Sequence, residues 1–181
     1  MKLTVNKEQI IEGLLKAAAI LPAKAGTQYL RSIWLKAEDG RLEVMATDAT
    51  LEFTGRYPAE VEEPGLVGVQ GRAFVDLVRQ LPGGLLRLSL DAASGNLHLE
   101  QGRRSYKLPV SGAEWFQNVS AFPEENAVAW SGDFLQDVLD KVSFCIDDDD
   151  SRDAIACLCM KPQENGRIDV CGLNGHQFAL V

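Results

Sequence analysis

Gly40-Arg-Leu-Glu-Val-Met-Ala-Thr-Asp-Ala-Thr-Leu-Glu-Phe-Thr54 aligns without a gap on Gly166-Arg-Ile-Asp-Val-Cys-Gly-Leu-Asn-Gly-His-Gln-Phe-Ala-Leu180. The register extends upstream, where Leu3-Thr-Val-Asn6 followed by Ile10, Leu14 and Ala18 matches Ala129-Trp-Ser131 followed by Leu135, Leu139 and Ser143. A further copy lies between them: Val69 leads into Phe74, Val75, Val78 and Leu81, then into strand-like Leu86–Leu90 and Leu97–Glu100. A strand, helix and strands unit thus recurs roughly every sixty residues, and such copies bury their apolar faces against one another.

Working outward from this repeat, residues 6–20 read as an amphipathic helix. Asn6 is its N-cap, and Ile10, Ile11, Leu14, Leu15 and Ala18 form one apolar face. Leu30–Ala37 and Leu42–Thr47 read as strands joined across Asp39-Gly40, a dipeptide suited to the positive φ angles of a tight hairpin. Leu51–Tyr57 continues the sheet, and Pro58–Pro64 reads as an acidic turn. The second unit repeats the plan, with turns at Ser94-Gly95-Asn96 and Gly102-Arg103. Residues 113–125, carrying Trp115, Phe116 and Phe122, read as a connector packed on the sheet. A third unit follows, with a strand at Ala127–Trp130 and a helix to Phe144 that turns Phe134, Leu135, Val138, Leu139 and Val142 inward.

Two units make one domain, so the expected organisation is α+β, with one complete domain over 1–121 and the first half of a second over 122–181. A sheet left uncovered at its end exposes an apolar face and an unpaired edge. Either the sequence is part of something longer or another copy covers that face; the first reading is adopted here.

Composition is that of a globular chain, with 46% apolar and 24% charged residues. There is no apolar run of the roughly eighteen residues a membrane helix needs, and Met1-Lys-Leu-Thr-Val lacks the apolar stretch of a signal peptide, so a cytoplasmic location is expected. Net charge is −8, unevenly spread: residues 1–125 hold 14 Lys and Arg against 16 Asp and Glu, and residues 126–181 hold 4 against 10. Global charge governs solubility, while a local basic stripe can still face a polyanion. Cys145, Cys157, Cys159 and Cys171 read as small hydrophobes of a reducing compartment. Cys157-Leu-Cys159 puts two thiols on one strand face, without the spacing of a zinc site, so neither metal nor cofactor is expected.

The doubled unit plan and the strings Val44-Met-Ala-Thr-Asp48 and Asn174-Gly-His-Gln-Phe-Ala179 resemble the bacterial DNA polymerase III β subunits, the sliding clamps. So do the opening Met-Lys-Leu-Thr-Val, the Val-Gly-Val-Gln-Gly-Arg-Ala-Phe entry to the second helix, and Arg-Arg-Ser-Tyr-Lys-Leu after the glycine turn. The resemblance implies antiparallel sheets outside and helices lining a central channel. It also implies a non-catalytic processivity factor that encircles duplex DNA as a head-to-tail homodimeric ring when full length. Partners implied are double-stranded DNA, bound without sequence preference, the polymerase III catalytic subunit, the clamp loader and other proteins with a clamp-binding motif.

Residue by residue, the resemblance assigns DNA contact to Lys24, Arg72, Arg79, Lys141 and Arg152, with Lys7 and Lys16 also on the helices; from spacing alone, solvated faces of amphipathic helices are the plainer reading. It assigns Ile155, Leu173, Asn174, Gly175, His176, Gln177 and Phe178 to half of a partner-peptide pocket, where a glycine turn and a core strand are the plainer reading. Arg103, Arg104, Tyr106 and Leu108, with Lys107, fall at the ring interface; a basic, aromatic edge strand also deters random pairing. The run Asp147–Asp150 would repel phosphates. His98 and His176 are the only histidines, and with Asp48 and Asp169 they form no recognised nucleophile, phosphate-loop or dinucleotide motif, which argues against an enzyme. A repeat-built protein-interaction scaffold without DNA binding is the alternative.

Overall fold

The computed structural model describes residues 1–22, 27–91, 93–117, 125, 129–146, 155–164 and 166–181. The chain divides into two compact units, Met1–Ala121 and Phe122–Val181.

In the first unit, β1 (Lys2–Asn6) runs directly into α1 (Lys7–Ile20), because the Asn6 side chain accepts a hydrogen bond from the Glu8 N–H at 2.9 Å and satisfies one orphan donor of the helix start. After one helical turn, α2 (Gln28–Arg31), come β2 (Ser32–Glu38), β3 (Arg41–Thr47), β4 (Glu52–Pro58) and β5 (Glu60–Glu63). The second copy gives β6 (Gly65–Gln70), α3 (Gly71–Gln80), β7 (Leu85–Asp91), β8 (Asn96–Gln101) and β9 (Arg104–Ser111). The hairpin between β2 and β3 has the positive φ angles its sequence asks for, 49° at Asp39 and 71° at Gly40.

Among the described residues the unit forms one nine-stranded sheet, ordered β4-β3-β2-β6-β9-β8-β7-β1-β5, with every pairing antiparallel. The copies exchange their first strands: β1 pairs with β7 of the second copy, and β6 pairs with β2 of the first. Neither copy is therefore a closed unit by itself. Both helices pack on this sheet and against each other, with Ile10, Leu14, Ala17, Phe74, Val75 and Val78 in one core with Leu3, Leu35, Val44, Leu88 and Leu99. On α1 the buried face is Ile10, Gly13, Leu14 and Ala17; Leu15, expected inward, is 42% exposed because it lies a further 100° round the helix from Leu14. Both helices end at Leu-Pro, Leu21-Pro22 and Leu81-Pro82, where the proline holds the preceding residue extended (ψ 132° and 149°) and the helix stops.

The acidic stretch read as a turn is a strand. β5 is short and charged, yet it pairs with β1 because cations neutralise its carboxylates: Lys2 and Arg87 both reach Glu62, and the amino terminus lies 3.8 Å from Glu63. On the sheet face opposite the core, the Trp34 ring is covered by Phe116 of the connector (centroids 5.2 Å) and by Tyr29 (5.6 Å), whereas Trp115 is 59% exposed. Phe122 lies outside the described residues.

In the second unit, Ser131 caps α4 (Gly132–Val142), its hydroxyl accepting from the Phe134 N–H at 3.2 Å. α4 packs on β11 (Ile168–Leu173) and β12 (Phe178–Leu180), the central and last strands of an antiparallel sheet that begins with β10 (Cys159–Pro162). Val138, Val142 and Val170 form its small core. Two expectations fail here. Ala129 and Trp130 are not in a strand, and Phe134 is 49% exposed, its ring set edge-on to Trp130 at 5.7 Å instead of facing the core. Of the four cysteines only Cys145 is fully buried, and because β10 starts at Cys159, Cys157 stands outside the strand.

Candidate nucleic-acid interface and peptide site

The basic residues expected on the helices are placed by long-range hydrogen bonds. Lys7, first residue of α1, donates from Nζ to the carbonyls of Arg79 (3.1 Å) and Leu81 at the end of α3. Arg72, near the start of α3, donates from Nη2 to the carbonyl of Leu21 at the end of α1 (2.9 Å). Each helix start thus supplies a cation to the negative end of the other helix. The remaining cations meet carboxylates one turn away: Lys16 with Glu12 at 2.7 Å, Arg79 with Asp76 at 3.9 Å and Lys141 with Asp137 at 2.6 Å. Hydrogen bonding and the charge of Lys16 hold the Glu12 carboxyl below its usual range, and Glu12 raises Lys16 in return. Every described basic candidate is therefore engaged within the chain. α1 carries Lys7 and Lys16 against Glu8 and Glu12, α3 Arg72 and Arg79 against Asp76, and α4 Lys141 against Asp133, Asp137 and Asp140. Lys24, Arg152 and Asp147–Asp150 lie outside the described residues.

The hairpin between β11 and β12 carries the expected pocket residues. Asn174 Oδ1 accepts from the His176 and Gln177 N–H groups at 3.0 and 2.8 Å, and Gly175 takes φ 84°. The aligned turn of the first unit has the same construction: Asp48 Oδ1 accepts from Thr50 and Leu51 at 2.8 and 2.7 Å, and Ala49 takes φ 79°. Asn174, Gly175 and Gln177 are accordingly turn-forming through the backbone. Leu173 and Phe178 stand opposite each other across the ladder and are 45% and 62% exposed, while His176 is exposed and Ile155 is buried. An exposed facing pair of large apolar side chains is a surface suited to an apolar partner.

β9 pairs with β8 from Arg104 to Pro109, but β6 meets it only at Val110 and Ser111. Among the described residues, Arg104 to Leu108 therefore have no strand on their second side. Tyr106 and Leu108 pack against the core, Arg104 and Lys107 are exposed, and Arg103 sits in the turn after Gly102.

Residues 1–120 match the family model for the DNA polymerase III beta subunit, N-terminal domain. The chain belongs to the DNA polymerase III beta subunit family. Among its relatives, the beta sliding clamp of Caulobacter vibrioides (strain NA1000 / CB15N) is 26% identical over 185 residues, covering 100% of this chain and 50% of that protein. That of Vibrio cholerae serotype O1 is 27% identical over 153 residues, covering 84% of this chain and 42% of that protein. The structure of Caulobacter crescentus pol III beta superposes with a TM-score of 0.88 at 27% identity, over 99% of this chain and 50% of that one. A putative DNA polymerase III beta subunit from Eubacterium rectale shares the fold, with a TM-score of 0.90 at 21% identity, over 99% of this chain and 49% of that one. The chain thus spans about half the length of these relatives. No helix among the described residues is long and apolar enough to cross a membrane.

Sequence reasoning placed the basic residues on the helices but missed their crossed hydrogen bonds. These join positions more than fifty residues apart, and no local spacing reports them.

Proposed function

We propose that this chain is the first domain and the first part of the second domain of a sliding clamp. Two full-length protomers would close head to tail around duplex DNA and tether the polymerase III catalytic subunit, the clamp loader and other motif-bearing partners in the cytoplasm. The observation that carries the reading is the pairing of α1 and α3 side by side on one face of a single antiparallel sheet whose two copies exchange strands. A family member built this way needs no catalytic group, because enclosure rather than chemistry provides processivity.

The half-open strand β9 supports a ring interface at Arg103, Arg104, Tyr106 and Leu108: a strand from a second protomer can extend the sheet there. Leu173 and Phe178, with the turn Asn174 to Gln177 and with Ile155 behind, form one side of the peptide pocket. Lys24, Arg72, Arg79, Lys141 and Arg152 are the residues facing phosphate. Because the described members of that set already have internal partners, their hold on DNA is weak and easily screened, which suits a ring that slides.

The test uses a full-length protein bearing this sequence, loaded by its clamp loader on nicked circular DNA and passed through gel filtration in high salt. Retention on circles and release on linearisation are expected. Retention independent of circularity, or none on circles, would count against enclosure and favour the protein-interaction scaffold. Titration of a clamp-binding peptide should show affinity falling at least tenfold in Phe178→Ala; equal affinity removes that residue from the site.

A further inference from the structure

β10 and β11 bring two cysteines face to face: Cys159 stands directly opposite Cys171 in their antiparallel register. The neighbouring ladder fixes the kind of pair. Val170 exchanges both backbone hydrogen bonds with Val181, each 2.9 Å, so the amide and carbonyl of Cys171, one residue on, point the other way, toward β10. Residues opposed in this manner have Cα atoms about 5.5 Å apart, inside the roughly 4.4–6.8 Å span of disulfides. Hydrogen-bonded pairs sit at the wide end of the cross-strand range, with Cβ atoms about 5.5 Å apart, where a disulfide needs about 3.5–4.5 Å, so closure requires a shift of about 1–2 Å. β10 can supply it: all four of its residues are exposed, and among the described residues it pairs only with β11.

Both side chains project from the sheet face opposite Ile168 and Val170, which pack against the α4 cluster. They are unlike Cys145, which is fully buried as a small apolar residue. The Cys171 thiol is pushed above its ordinary value, first by burial and then by the neighbouring Cys159 and by the charge of Asp169.

We infer that Cys159 and Cys171 form a reversible dithiol–disulfide couple on the solvent face of this sheet, oxidised by low-molecular-weight disulfides. The thiolate of the more exposed Cys159 attacks one sulfur of the external disulfide, forming a mixed disulfide and expelling one thiolate. The Cys171 thiolate then attacks the Cys159 sulfur and expels the second. Two electrons pass from the protein to the external disulfide, and the two protein thiol protons end on the two small thiols released. The strain of bridging a directly paired position makes the bond readily reducible, in contrast to a structural disulfide.

The chain is equilibrated in glutathione buffers of stepped ratio, free thiols are alkylated, and tryptic peptides are mapped by mass spectrometry. Because Arg167 lies between the two cysteines and Lys161 precedes proline, cleavage leaves Cys157 and Cys159 on one peptide and Cys171 on the next. Expected is a cross-linked peptide pair that appears and disappears reversibly within the range a glutathione buffer can poise. It should persist in Cys157→Ser and be absent from Cys159→Ser and Cys171→Ser. In urea the linkage should lose its selectivity, with Cys157 competing for Cys171. Glutathione adducts without a cross-link, a bond between Cys157 and Cys159, or a cross-link that survives Cys159→Ser would each overturn the assignment. Circular dichroism of each variant checks that the sheet is intact, and the wild-type map stands without them.

Discussion

Lys7 and Arg72 cap each other's helices: the ammonium of Lys7 reaches the carbonyl of Leu81 that ends α3, and the guanidinium of Arg72 reaches the carbonyl of Leu21 that ends α1. Lys7 is the first residue of α1 and Arg72 the second of α3, so each copy of the repeat lends a cation from its helix's first turn to the end of the other helix. At the start of α1 this link is reinforced by the Lys7 N–H, which donates to the Gly84 carbonyl at 3.0 Å, and by the Gly84 N–H, which donates to Glu8 Oε2 at 3.1 Å. A charged donor on an otherwise unpaired terminal carbonyl gains from both the hydrogen bond and the helix dipole. Arg72→Met and Lys7→Met should each destabilise the first unit by about 1 kcal/mol, partial exposure keeping the effect near the low end for charged hydrogen bonds. Urea titration measures it. Arg72→Lys should recover part of the loss, whereas equal loss in Lys and Met would show the hydrogen bond to be irrelevant.

Tyr57 of β4 lies across two glycines. A Cβ on Gly13 of α1 would fall 1.6 Å from its hydroxyl oxygen, and one on Gly55 would fall 2.4 Å from the same atom. α1 therefore approaches the sheet as closely as it does because neither position has a side chain. Gly13→Ala should cost about 1–3 kcal/mol by overpacking, despite alanine's better helix propensity. In a Tyr57→Ala background the same substitution should become neutral or stabilising. A cost that is unchanged there would place the strain elsewhere.

The aligned turns at Asp48 and Asn174 differ at one informative place. Position 49 is alanine at φ 79°, where its counterpart is Gly175 at φ 84°. An L-residue with a Cβ pays about 1–2 kcal/mol in that left-handed region. Ala49→Gly should therefore stabilise the first unit by somewhat under about 1 kcal/mol, net of the larger unfolded-state entropy of glycine, and raise its thermal midpoint. Gly175→Ala should lower that of the second unit. Opposite signs are the diagnostic, and two changes of the same sign would contradict the turn equivalence.

Much of this fold is legible in the sequence because its signals are local. Asp39-Gly40 sets the β2–β3 turn, Asn6 and Ser131 mark helix starts, and the period of Ile10, Leu14 and Ala18 marks the core-facing side, although the fully buried residue of the last turn is Ala17 and Ala18 is only partly buried. β5 was hidden because Glu60-Val-Glu-Glu63 is a poor strand in isolation; Lys2, Arg87 and the amino terminus neutralise it from elsewhere in the chain. Phe134 misled by hydropathy alone, since it sits in the first turn of α4, where Trp130 rather than the sheet receives it. For the candidate site, the helices carrying the basic residues were readable. Their internal partners, and the half-open side of β9, depend on tertiary pairing and were not.

Acid should act on the first unit through its turns. The Asp48 carboxyl is held below its usual value by hydrogen bonds from the Leu51 and Thr50 N–H groups, and that of Asp91 by the Ser94 hydroxyl and then by the Ala93 and Ser94 N–H groups. A carboxylate whose folded pKa is depressed binds fewer protons in the folded state than in the unfolded one. Its contribution is complete above the ordinary carboxyl value, about 3.9, and is lost as pH falls through the lower folded value. Asp48→Asn keeps an oxygen that can accept the same two hydrogen bonds and removes the titration. Relative to wild type, its urea midpoint should fall less between about pH 5 and pH 2, with the difference opening below about pH 4. Asp91→Asn should behave alike, though more weakly, because its amide must replace the strong bond from the Ser94 hydroxyl. Parallel acid profiles for wild type and both variants would show that these carboxyls are not what acid acts upon.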